Sequence, residues 1–167
     1  MGSLSKIESF SPIIDANSHI LILGSIPSVQ SLQEGKYYGN PRNQFWKIIY
    51  EVLGQPFQED YGKKVQFIKE HGIAIWDVIE SCHREGSLDS NIKEERPNDF
   101  NTFLKSYPRI KYVLFNGTKA HDTFRRKVGF SFEDKIFHKL PSSSPAHTMK
   151  IGNKIEEWKV LLKYTQG

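Results

Sequence analysis

Apolar residues along this chain follow two rhythms. Ile20, Leu21, Ile22 and Leu23 succeed one another without polar alternation, the pattern of a strand covered on both faces. Comparable runs stand at Ile73-Ala74-Ile75-Trp76, which delivers Asp77 and Val78, and at Tyr112-Val113-Leu114-Phe115, which precedes Asn116-Gly117. A weaker fourth run, Lys135 to Leu140, empties into Pro141-Ser142-Ser143-Ser144-Pro145-Ala146-His147. Between these runs the spacing turns helical. Phe45, Ile48, Ile49, Val52 and Leu53 recur on one helical face, and Gly54 and Pro56 stop that helix. Tyr61 to His71 predicts a second helix with Gly72 as its exit. Asn98 is placed to cap a third, whose apolar face is Phe100, Phe103 and Leu104. A basic helix ends near Arg125, Arg126 and Lys127, and a last one, Gly152 to Tyr164, is expected to bury Ile155, Trp158 and Leu162. Ser81 to Pro97 reads as a long surface loop, and residues 1–11 as polar and loosely held.

Strands alternating with helices need crossover connections. They predict an α/β fold, a three-layer α/β/α arrangement with a central four-stranded parallel sheet, in one domain spanning residues 1–167. In such sheets ligands gather beyond the carboxyl ends of the strands. All four runs end there in small or polar residues: Gly24-Ser25, Asp77, Asn116 and Ser142 to Ser144. A shared pocket explains that coincidence better than chance.

Composition narrows the chemistry. The single cysteine, Cys82, excludes a disulfide framework and a four-thiolate iron–sulfur cluster within the chain. The six histidines show no metal-binding spacing, and no metal is expected. No apolar run suits a membrane span, so a cytoplasmic protein without membrane association is expected. Net charge is +4, with a pI near 9.1, which favours a polyanionic partner. Phosphate-loop, dinucleotide-binding and esterase signatures are all missing. What remains is a set of carboxamides, hydroxyls and aromatic rings. It suits a planar heterocycle stacked on Tyr37 or Tyr38, with serine-rich turns for phosphates. Together these point to one nucleotide unit inside a longer nucleic acid.

Five segments in order, LILGSIPS (21–28), YYGNPRNQFW (37–46), IAIWDVIESCHREGSLDSNI (73–92), YVLFNG (112–117) and LPSSSPAH (140–147), resemble the uracil-DNA glycosylase superfamily. The resemblance is strongest to its hypoxanthine-DNA (deoxyinosine) glycosylase branch, with the mismatch-specific uracil/thymine enzymes nearby. It implies the same four-stranded parallel fold and a monofunctional enzyme that hydrolyses the N-glycosidic bond of deaminated bases in DNA. Hypoxanthine is the first expected substrate and uracil the second; no cofactor is implied, and a monomer is expected.

Many relatives carry a water-positioning acid or amide where this chain has Ile26, which cannot bond water. By resemblance that duty passes to Asn43, acting through its carbonyl, and leaving-group donation to Ser142. Tyr38 would stack on the flipped base. Gly24, Ser25, Pro27, Asp77 and Asn116 would complete substrate binding, and Ser28, Ser143 and Ser144 would grip phosphates. Asn40 departs from the histidine frequent in relatives.

Other readings of the same residues stay open. Asn43 is also a plausible helix cap, Tyr37 and Tyr38 loop aromatics, and Asn116 a turn former. Asp77 either pairs with Arg84 or reads a base edge. Lys139 near the pocket raises Schiff-base lyase chemistry, which nothing in the sequence supports. The rival function is a non-catalytic nucleic-acid or nucleotide binder on the same fold, which Ile26 permits.

Overall fold

The computed structural model describes residues 6–166. Four parallel strands form the central sheet: β2 (Ile20–Gly24), β3 (Ile73–Asp77), β6 (Tyr112–Asn116) and β7 (Ile136–Leu140), in the order β3-β2-β6-β7. Residues along β2 alternate between two cores. Ile20 and Ile22 face one, with Phe45, Ile48, Ile49, Trp158 and Leu161. Leu21 and Leu23 face the other, with Phe100, Phe103, Leu104 and Phe124. A strand covered on both faces needs no polar position, so the unbroken apolar runs arise from the three-layer arrangement itself.

On the first face lie α2 (Phe45–Val52), α3 (Tyr61–Glu70), α6 (Ile151–Trp158) and α7 (Val160–Thr165); on the second lie α4 (Phe100–Ser106) and α5 (Thr118–Lys127). A short helix, α1 (Val29–Glu34), follows β2 and was not anticipated from the sequence. Several expectations are corrected. Ser81 to Pro97 is not a loop throughout: β4 (Ile79–His83) and β5 (Lys93–Pro97) pair antiparallel, and β1 (Lys6–Glu8) adds to β4. Residues 6–8 are therefore held in a strand, while the expected loose order of residues 1–5 lies outside the described residues.

The cap of α4 is Asp99, whose carboxylate accepts from Thr102 N. Asn98 is buried and donates instead to the Asp77 carbonyl at 2.7 Å. The final helix breaks at Lys159, which ends α6 and precedes α7. The buried face runs through Lys154, Trp158 and Leu161, at i, i+4 and i+7, so Leu161 is buried and Leu162 is 39% exposed. Among the described residues no helix is long and apolar enough to cross a membrane.

A candidate active site at the carboxyl edge of the sheet

A cavity of about 770 Å³ opens where β2, β3, β6 and β7 end, and every residue expected at the site borders it. The hydrogen bonds divide those residues into ones that hold the cavity and ones left free to meet a ligand. A second hollow, about 710 Å³ around His19, His71 and Thr165, lies toward the amino ends of the strands and collects none of them.

Gly24 is required by its neighbours. A Cβ there would stand 2.8 Å from Asp77 Oδ1 and 2.9 Å from Tyr38 Oη, so any side chain would push the acid and the phenol apart. Gly117, at φ +100°, plays the same part beside Ser142, whose Cβ would be 2.9 Å from a Cβ on residue 117.

Tyr38 has φ +54°, the left-handed region that residues with a Cβ rarely adopt. Its ring stacks on Phe45 with centroids 4.0 Å apart and planes 17° from parallel, and Asn116 Nδ2 donates to its hydroxyl at 3.2 Å. Phe45 thus occupies one ring face, leaving only the opposite face for a base. Burial, and then the charge of Asp77, hold the phenol above its ordinary pKa, so it stays protonated.

Ser143 is fully buried at the centre of a wired network. Its N–H donates to Asn116 Oδ1 at 2.8 Å, its hydroxyl accepts from Asn116 Nδ2 at 2.8 Å, and that hydroxyl donates to Asn43 Oδ1 at 2.8 Å. Its backbone carbonyl accepts from Gln44 N at 3.0 Å. The expected phosphate contact is therefore corrected: Ser143 has no donor left to offer. The Ser28 hydroxyl accepts from Ser31 N and donates to Ser31 Oγ as the cap of α1. Ser142 and Ser144 differ. Their oxygens accept from Ser144 N and Ala146 N, which leaves both hydroxyl hydrogens available at the rim.

Asn43 borders the cavity and also bonds the start of α2. Phe45 N–H can only donate, so the atom it meets at 2.9 Å is identified as Oδ1, and the same oxygen accepts from Ser143. With both lone pairs taken, that carbonyl cannot also orient a water. This corrects the expected mode of action: the part of Asn43 open to a ligand is its Nδ2 group, a donor.

Asp77 is 4% exposed, and burial pushes its carboxyl up to about 7, against the pull of Arg84 and with the push of Asp89. The direct pairing with Arg84 does not form. Arg84, itself buried, donates through Nη2 to Pro27 O at 2.7 Å and through Nε to Gly86 O at 2.6 Å. Those bonds fasten the segment after β4 beside the β2 loop, and Ser25 Oγ donates to Asp89 Oδ1 at 2.9 Å across the same gap. In consequence Ser87, Leu88, Asp89 and Ser90 form part of the cavity wall. Sequence reasoning missed this wall by treating residues 81–97 as a loop. The signal was Arg84-Glu85-Gly86-Ser87, a cation beside a turn glycine, within a segment that the resemblance already covered. Lys139 also borders the cavity, but as an exposed side chain that nothing desolvates.

A parallel four-stranded sheet between helix layers, with its cavity at the carboxyl edge, defines the class. The family model described as the uracil DNA glycosylase superfamily matches residues 11–164, and the chain belongs to that superfamily. A curated Methanosarcina acetivorans protein named hypoxanthine DNA glycosylase is 38% identical over 156 residues, covering 93% of this chain and 97% of that protein. Its namesake from Methanosarcina barkeri is 36% identical over 156 residues, covering 92% and 96%. A solution NMR structure of a Methanosarcina acetivorans protein, described as a candidate uracil DNA glycosylase, superposes with a TM-score of 0.83. It shares 34% identity and covers 98% of this chain and 100% of that one.

Proposed function

We propose that this protein is a DNA glycosylase that removes deaminated bases, hypoxanthine first and uracil second, by hydrolysing the N-glycosidic bond. The observation that carries this reading is the single cavity bordered by Asn43, Tyr38 and the ends of all four parallel strands, in a chain whose 38%-identical relative is named hypoxanthine DNA glycosylase.

The target bond is hidden in a duplex, so the nucleotide is extruded into the cavity, and deaminated bases, being weakly paired, cost least to extrude. Tyr38, pinned by Phe45 and Asn116, offers one rigid face for stacking. As the bond breaks, negative charge grows on the departing base and positive charge on the sugar. Fixed donors aimed at growing charge are worth most in a water-poor site. Asn43 Nδ2 and the hydroxyl of Ser142 serve as those donors, and Ser144 meets the phosphate beside them. With a carboxamide in place of a strong base, the enzyme relies on the leaving ability of the base itself.

Scission of labelled duplexes containing deoxyinosine or deoxyuridine, read after alkali treatment, tests this. The wild type is expected to cut, and Asn43→Ala to lose about 100-fold or more, the scale of a deleted charge-stabilising donor. Tight duplex binding without scission by the wild type overturns the reading in favour of a non-catalytic binder. Affinity for the duplex is expected to fall steeply from low to physiological salt, as phosphate contacts release counterions.

A further inference from the structure

The turn that carries Ser142 and Ser144 is held from behind through its carbonyls. Trp158 Nε1 donates to Pro141 O at 2.9 Å, Gln44 N donates to Ser143 O at 3.0 Å, and Lys154 Nζ donates to Ser144 O at 3.2 Å. Lys154 and Trp158 stand four residues apart on α6, so they share one helical face, the buried one. The Ser144 carbonyl also accepts from His147 N at 3.0 Å, which closes the turn over Pro145 and Ala146. The indole is an ordinary occupant of such a face, but lysine is almost never fully buried without a partner charge.

Lys154 is 1% exposed, and its ammonium has three hydrogens to place. Among the described residues Ser144 O is its one acceptor, and no carboxylate pairs with it. Glu157, three residues along the same helix, borders the cavity as an exposed side chain and forms no ion pair with it. Burial lowers the pKa of the ammonium, and no charge opposes that pull. Withdrawing a cation from water without a counter-ion is unfavourable in a way that an apolar side chain of similar length is not. Residues that break a local rule of this kind gather at functional sites.

We propose that Lys154 is a positioning residue of the cavity, a buried cation that draws the Ser144 carbonyl inward and so fixes the Ser142 and Ser144 hydroxyls as donors in an electropositive turn. The inference rests on the glycosylase reading for the reaction it serves. Lys154 acts through the turn and not by touching the base. Ser142 Oγ accepts from Ser144 N at 3.1 Å and Ser144 Oγ accepts from Ala146 N at 3.1 Å, so both hydroxyls take their direction from the backbone that Lys154 pins. Donors held in advance need no rearrangement when negative charge grows on the departing base. The uncompensated ammonium adds an attraction for that charge, and for the phosphate beside it, that the water-poor interior screens little. One lysine thereby sets both the direction of the hydroxyls and the sign of the field around them.

Lys154→Met in the full chain, with Lys154→Gln should the first not fold, separates this role from that of a structural bolt. Three quantities are compared with wild type: the urea midpoint, affinity for an undamaged duplex, and the single-turnover rate on a deoxyinosine duplex. The variant is expected to unfold at the same or a higher urea concentration and to bind the undamaged duplex within about twofold, while its rate falls about 10- to 100-fold, the scale of a small misplacement of reacting groups. A folded variant that cuts at the wild-type rate overturns the assignment. So does a slower variant with a lowered urea midpoint and weakened duplex binding, or the failure of both variants to fold, since each makes Lys154 a bolt and nothing more. A duplex carrying a tetrahydrofuran abasic-site analogue gives a readout that needs no excision: the wild-type preference for it over the undamaged duplex is expected to shrink about 10-fold in the variant. If the wild type cuts no deaminated duplex, the excision reading falls. A preference that still depends on Lys154 then leaves the assignment standing, and one that is missing or indifferent to Lys154 removes it as well.

Discussion

Asp77 on the cavity floor and Glu95 on β5 are both withdrawn from water, yet their surroundings treat them oppositely. The Glu95 side chain is 11% exposed and is clamped by Lys119 Nζ on Oε2 at 2.9 Å and by Arg126 Nη2 on Oε1 at 3.0 Å. Burial raises its carboxyl, but the two hydrogen bonds and charges outweigh it and leave the group below its ordinary value. That clamp ties the antiparallel sheet to α5. Asp77 has only the charge of Arg84 to offset its burial, and the carboxyl rises. Burial alone therefore does not mark a functional acid. Asp77 differs from Glu95 in having an unfilled valence and facing a cavity.

The strongest way to break the contrast is thermodynamic. Folded Asp77 keeps its proton up to about 7, whereas the unfolded chain releases it near the ordinary carboxyl value of 3.8. Between those values the folded state binds more protons, so stability falls as pH rises and the penalty is complete above the folded value. Asp77→Asn is expected to stabilise the protein against urea by about 2–4 kcal/mol at pH 8, with no gain at pH 3, where both states are protonated. Equal midpoints at pH 8 would show that the site already satisfies the carboxylate.

Glu95→Gln should act with the opposite sign and a smaller size. A depressed carboxyl stabilises the fold above its unfolded value, 4.5, and that contribution is lost as pH falls through the folded value. The expected cost is about 1–2 kcal/mol at pH 7, disappearing in acid denaturation series, consistent with charged hydrogen bonds at a partly screened site. Smallest is Arg126→Ala. Its side chain is 49% exposed, so the loss should stay under about 1 kcal/mol and shrink further in high salt. A large, salt-independent loss there would make the clamp as demanding as the cavity floor, erasing the distinction.

Much of this contrast was hidden in one dimension. The strands of the parallel sheet were legible because each is covered on two faces and cannot afford a polar residue, apart from β7, whose exposed edge carries Lys139 and weakens the pattern. The antiparallel strands were not legible. Lys93-Glu94-Glu95-Arg96-Pro97 is polar enough to pass for a loop, and it becomes a strand only through pairing with β4 and the Glu95 clamp. Leu162 is exposed for a related reason: Leu161 and Leu162 are both apolar, Trp158 is three residues before one and four before the other, and apolar spacing alone does not choose between them.

From sequence alone came the layered α/β architecture, the gathering of polar residues at strand ends, and the family those motifs mark, because burial periodicity and strand-end chemistry are local in the chain. The tertiary structure decided which of those residues remain free. Ser143 lies 100 positions from Asn43, and Asn116 lies 78 positions from Tyr38. Each hydrogen-bonding valence is spent on whatever the fold brings within reach, so only the folded chain distinguishes the wired Ser143 and Asn116 from the open Nδ2 of Asn43 and the unfilled Oδ2 of Asp77.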